Sequence, residues 1–111
     1  MAVHKKESFT PEQQEMALIA KALSHPARIA ILSVLATRNE CICGEIVEVM
    51  PLAQSTVSQH LKELLEAGLI KGSVDGPRSC YCINWEVFGA FKDSLEQWFS
   101  SIQHQQKQTC C

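Results

Sequence analysis

The chain has 111 residues, 46% hydrophobic and 20% charged, with a formal net charge of −2. That is enough for one domain with a single modest core, and the balance is that of a globular protein rather than a disordered or fibrous one. No apolar run approaches the roughly 20 residues that cross a bilayer. MAVHKKESFTPEQQ also lacks the apolar stretch of a secretory signal, so a cytoplasmic protein with no membrane partner is expected. The mildly acidic sum does not favour nucleic acid, but DNA binding depends on local charge, which the sum does not measure.

Residues 1–9 read as a flexible N-terminus. Thr10-Pro11 then has the form of a helix start, with Thr10 as N-cap and Pro11 in the first turn. Met16, Ile19, Ala20 and Leu23 recur at helical spacing, so a helix should run to about Leu23. His25-Pro26 starts a second helix to about Ala36, with Ile29, Leu32 and Leu35 expected on its inner face. Glu40-Cys41-Ile42 has the composition of a short extended segment. A short helix over 44–50, with Ile46, Val47 and Met50 inward, stops at Pro51. A longer helix over 54–67 should bury Val57, Leu61, Leu64 and Leu65 and end at Gly68. Residues 69–74 and 79–83 flank the turn Asp75-Gly76-Pro77-Arg78 and predict a β-hairpin. Asn84 caps a last helix over 85–106, and residues 107–111 form a flexible tail. The fold class is therefore mainly α with a small hairpin, one domain over 10–106.

Only Pro51-Leu52-Ala53 joins the helices over 44–50 and 54–67. A short helix, a tight turn and a longer helix followed by a hairpin is a winged helix-turn-helix. The outer face of the longer helix carries Gln54, Ser55, Thr56, Ser58, Gln59, His60 and Lys62. Short hydrogen-bonding side chains at the start of such a helix suit base edges and phosphates of double-stranded operator DNA. Lys62, Lys71 and Arg78 are placed to meet phosphates. A solvated polar face is the plainer alternative.

The last helix has a seam of aromatics that a small domain has little room to bury. Met16 and Ile19 of the first helix with Phe88, Phe91, Leu95 and Trp98 of the last are expected to form a homodimer interface, which two-fold DNA half-sites also favour. Packing within one protomer is the alternative.

The six cysteines fall as Cys41/Cys43, Cys80/Cys82 and Cys110/Cys111. Close pairs staple no long loop, so the expectation is reduced thiols rather than a disulfide framework. Cys80 and Cys82 are expected as small buried residues of the hairpin.

The segments ALSHPARIAILSVL and AQSTVSQHLKELLEAGLIKG resemble the arsenic-repressor (ArsR/SmtB) family of metal-sensing regulators. The resemblance implies an α-α-α-α-β-β-α homodimer that leaves operator DNA when an effector binds. It places Gln54, Ser55, Thr56, Ser58, Gln59 and His60 on the DNA-reading motif. ECICGEI resembles the family's metalloid motif ELCVCDL at the start of the first helix of the helix-turn-helix. That identifies Cys41 and Cys43 as thiolate ligands for trivalent arsenic or antimony, an effector rather than a permanent cofactor.

A third cysteine, one helical turn later in arsenic sensors of the family, is here Ile46. Arsenite has three valences to fill, and a monosubstituted trivalent arsenical has two. The chain is therefore expected to take organoarsenicals at least as well as arsenite. Cys110 and Cys111 are further candidate thiols. Cadmium and lead sensors add N-terminal cysteines that are missing before Cys41. A zinc site on the last helix would have Asp93 and His104, with Leu95 and Gln106 where companions are expected.

A thiol-redox or persulfide-sensing repressor of the same fold is the first alternative, and it predicts one reversible disulfide between cysteines distant in sequence. A small dithiol metalloid carrier or enzyme is the second. The chain has no Cys-x-x-Cys in a βαβ pattern, phosphate loop or nucleophile elbow, so an enzyme is not expected.

Overall fold

The computed structural model describes residues 8–38, 42–43, 50–73 and 80–106. The elements are α1 (Pro11–Ala22), α2 (Pro26–Arg38), β1 (Ile42–Cys43), α3 (Gln54–Ala67), β2 (Ile70–Ser73), β3 (Cys80–Ile83) and α4 (Trp85–His104). Of the helix expected over 44–50 only Met50 is described, in a bend, and residues 44–49, the turn with Arg78, and Cys41, Cys110 and Cys111 lie outside the described residues.

Local chemistry sets the helix ends. Thr10 Oγ1 accepts the Gln13 N–H at 3.1 Å, and Gln13 Oε1 accepts the Thr10 N–H at 3.0 Å. This reciprocal capping box satisfies two donors that the first turn leaves over. At the start of α2, His25 Nδ1 accepts the Ala27 N–H at 3.0 Å. Gly68 ends α3 at φ 83°, a left-handed conformation that costs glycine little. The Leu69 N–H returns to the Leu64 carbonyl and the Gly68 N–H to that of Leu65, which closes the end and turns the chain into β2. Asn84 Oδ1 accepts the Val87 N–H and caps α4.

The sheet has three antiparallel strands in the order β1-β3-β2. The hairpin expected from sequence is β2–β3, with Ile70 opposite Ile83 and Gly72 opposite Tyr81. The extended segment before the helix-turn-helix adds the third strand, with Ile42 opposite Tyr81 and Cys43 opposite Cys80. A Cβ on Gly72 would run into the Cys80 carbonyl and the Tyr81 ring, so β2 and β3 approach closely only because residue 72 has no side chain.

The core joins all layers. Ile31, Leu35, Val57, Leu64 and Leu69 are the most fully enclosed, with Tyr81, Ile83 and Phe91 closing the sheet and α4 sides. In α2 the expected inner face needs correction. Leu32 and Leu35 point inward as expected, with Ala27 and Ile31, but Ile29 is 53% exposed. The run ARIAILSVL is apolar nearly all round, so periodicity alone does not fix its phase. Among the described residues, no single helix is long and apolar enough to cross a membrane.

Candidate DNA-reading helix and cysteine pair

α3 presents one polar face. Ser55, Thr56, Ser58, Gln59 and Lys62 are exposed along it, and Gln54 is its first residue. The N-cap is Ala53, which offers no side-chain acceptor, and the first turn has no acidic residue. The leading N–H groups of α3 are thus left for water or an anion such as a phosphate. Lys71, on β2, is exposed beyond the end of this helix.

His60 does not belong to this face. It is 7% exposed. The helical repeat explains this, because position 60 falls three after the enclosed Val57 and four before the enclosed Leu64. Arg28 Nε donates to His60 Nδ1 at 3.1 Å, and the His25 ring lies 4.4 Å from the His60 ring. Among the described residues His60 Nε2 has no hydrogen-bond partner. Burial, then the charges of His25 and Arg28, hold the His60 pKa below its ordinary value of 6.5, against a smaller opposite pull from Glu63. The Arg28 guanidinium also reaches the Lys21 and Ala22 carbonyls at 3.4 and 3.3 Å. One side chain therefore ties the end of α1, the start of α2 and the middle of α3 together. Arg28 and His60 tie α3 to α1 and α2, a contact sequence reasoning missed because the two stand 32 residues apart.

The residues expected at a dimer surface divide. Ile19 and Phe91 are buried in the protomer's own core, and Met16, Phe88 and Leu95 are half-buried against it. Trp98 is 47% exposed and continues into exposed Phe99 and Ile102 on the distal half of α4, with exposed Leu18 on α1. A groove of about 350 Å³ between α2 and α4 is walled by Leu23, Ile29, Leu32, Trp85 and Phe88. The protomer thus leaves apolar surface on both terminal helices.

Cys43 stands in β1, one residue beyond the extended segment expected over 40–42. Its ladder partner is Cys80. Tyr81 and Ile83 face the core, and Cys80 and Cys82 alternate with them, half-buried rather than buried. Cys80 is disulfide-bonded, which departs from the expectation of reduced thiols throughout. Among the described residues no three histidine, cysteine, aspartate or glutamate side chains stand together as a metal site. Asp93 and His104 lie eleven positions apart on α4, roughly 16 Å along the axis, too far to share one ion within a protomer.

Residues 23–72 match a helix-turn-helix domain family. The chain is 34% identical over 83 residues to the HTH-type transcriptional regulator YgaV of Escherichia coli, covering 75% of this chain and 84% of that protein. It is 38% identical over 77 residues to the arsenical resistance operon repressor of Bacillus subtilis, covering 68% and 72%. A homodimeric winged helix-turn-helix DNA-binding domain from Mycobacterium bovis, a possible ArsR-family regulator, superposes with a TM-score of 0.61 at 24% identity, covering 93% of each chain. Family and fold are those of DNA-binding regulators, not enzymes. The chain belongs to the ArsR/SmtB family of winged helix-turn-helix transcriptional repressors.

Proposed function

We propose that the protein is a homodimeric repressor that leaves its operator when a trivalent arsenical or antimonial bonds to Cys41 and Cys43. Ser55, Thr56, Ser58, Gln59 and Gln54 read base edges, while Lys62 and Arg78 meet phosphates. The distal half of α4, with Trp98, pairs with α1 across the two-fold axis. The observation that carries the effector reading is the position of Cys43 on β1, the strand that leads into the helix-turn-helix. Soft thiolates select soft, thiophilic centres. The repressor of similar sequence in Bacillus subtilis is one of arsenical resistance. An effector that pins β1 releases DNA only if it binds the DNA-incompetent arrangement better than the competent one.

The test is gel-shift binding of the reduced protein to its own promoter region at fixed salt, since phosphate contacts make affinity steeply salt-dependent. Arsenite, methylarsenite, zinc, cadmium and peroxide are added in turn. Release by the arsenicals supports the reading, and retention of DNA in their presence overturns it. One observation favours a second reading, a thiol-redox repressor. Cys80 is disulfide-bonded, and a thiol-redox repressor needs a reversible disulfide. Release by peroxide, reversed by a thiol reductant, would select that reading.

A further inference from the structure

The helix with the polar outer face, α3, carries an imidazole on its inner side, enclosed with the core. We infer that His60 is a proton-operated latch on DNA binding: the neutral ring seats α3 against α1 and α2 through Arg28, and a proton taken from solvent at Nδ1 unseats the helix and weakens its hold on the operator. This rests on α3 as the DNA-reading helix and is independent of any effector at the cysteines.

Geometry fixes which atom takes the proton. Arg28 Nε donates to His60 Nδ1 at 3.1 Å, so Nδ1 presents a lone pair and the ring's own proton is on Nε2. Nε2 is buried, and among the described residues nothing accepts from it. A second proton can enter only at Nδ1, the atom that accepts from Arg28. A guanidinium has donors and no acceptor, so the charged ring and Arg28 would meet donor to donor and cation to cation. The bond at 3.1 Å is then lost. With it α3 loses its link to the side chain that reaches the Lys21 and Ala22 carbonyls.

The groups around the ring point the same way. The His25 ring, just before α2, lies 4.4 Å from that of His60, and its own Nδ1 accepts the Ala27 N–H. Arg28 is on α2, and exposed Lys21 is in the last turn of α1. On α3, half-buried Glu63 favours the proton and exposed Lys62 does not reverse the balance, while Lys71 of β2 is exposed beyond the helix end. Burial, His25 and Arg28 outweigh Glu63 and keep the seated ring neutral below its ordinary value of 6.5. A ring released to water regains that value. Acid therefore favours the unseated arrangement, because a proton, like any ligand, shifts the population toward the state that binds it better.

One proton bounds the effect. Between about pH 7.5 and about pH 5.5, either side of 6.5, it can favour the unseated arrangement by at most about tenfold. Operator affinity falls with the seated fraction.

The experiment is fluorescence anisotropy of the full, reduced chain on its own promoter DNA, at fixed salt and at those two pH values. Wild type, His60→Gln and His25→Asn are each compared with their own value at the higher pH. Glutamine keeps an oxygen that can accept from Arg28 but cannot titrate, and asparagine keeps an acceptor for the Ala27 N–H. Affinity should fall about three- to tenfold in wild type and His25→Asn, and change by less than about twofold in His60→Gln. An unchanged wild type overturns the inference, as does a fall that persists in His60→Gln or vanishes in His25→Asn. Nitrogen-15 NMR of free wild type decides the matter if a variant does not fold. The ring proton should be on Nε2 at the higher pH, and the α3 amide signals should move with the ring's titration while helix content by circular dichroism holds. Amide signals that stay fixed through that titration, or loss of helix content with it, overturn the latch. If wild type binds promoter DNA at neither pH while the amides follow the ring, the latch stands and the reading of α3 as the DNA-reading helix falls.

Discussion

Replacing Arg28 with alanine tests whether the half-buried Arg28–His60 contact sets the position of α3. The substitution removes the hydrogen bond at 3.1 Å to His60 and the two longer ones to the Lys21 and Ala22 carbonyls. A hydrogen bond from a charged donor contributes about 1.5–3 kcal/mol, and a buried acceptor left unpaired costs within the same range. The carbonyl contacts, at 3.3 and 3.4 Å, are long and add under about 1 kcal/mol together. The expected loss is about 2–4 kcal/mol in urea unfolding. His60→Leu and the double variant complete a cycle, with a coupling of about 1–3 kcal/mol. Single effects that add to within about 0.5 kcal/mol would refute the contact as a stabilising pair. The same contact carries a pH signature. Burial lowers the His60 pKa in the folded state, so the unfolded chain takes up its proton first as pH falls. Stability from this group is complete above the ordinary value of 6.5 and is lost as pH drops through 6.5 toward the folded pKa. His60→Leu should remove that part of the profile.

Gly72→Ala would drive a Cβ into the Cys80 carbonyl and the Tyr81 ring, and backbone cannot yield as a flexible side chain does. Thermal melts should show a loss of about 1–3 kcal/mol, and an unchanged melt would mean the strands spread freely. Trp98→Glu places a charge on the exposed apolar stretch of α4. Sedimentation should then show monomer with unaltered helix content, whereas an intact dimer would move the interface elsewhere. Lys62→Gln should weaken DNA binding about equally across sequences. It should also reduce the slope of log affinity against log salt by about 0.9, and an unchanged slope removes Lys62 from the phosphate contacts.

Where local chemistry decides, the sequence was legible. The Thr10 capping box, the Asn84 cap and the Gly68 terminus are each set by side chains within a few residues, and α3 spans the residues its pattern predicts. α1 and α4 end one or two residues before the expected positions, and α2 two after, as fraying ends do. Long-range contacts were not legible. His60 reads as polar and therefore exposed, yet it is enclosed, with Arg28 of α2 and His25 just before that helix beside it. An extended segment near Ile42 was expected, but its pairing with β3 joins segments far apart in the chain, so neither its place in the sheet nor the facing of Cys43 and Cys80 follows from any local pattern. The polar face of α3 was visible because exposed polar positions repeat with the helix. The division of the aromatic seam between core and surface was not, because both fates share one period.

The most direct test of the switch is a fluorescence-anisotropy titration of operator-bound, reduced protein with methylarsenite, on wild type and Cys43→Ser. The account predicts release from wild type and full retention by Cys43→Ser, with equal DNA affinity before the arsenical is added. Release of Cys43→Ser at the wild-type concentration of methylarsenite would contradict it.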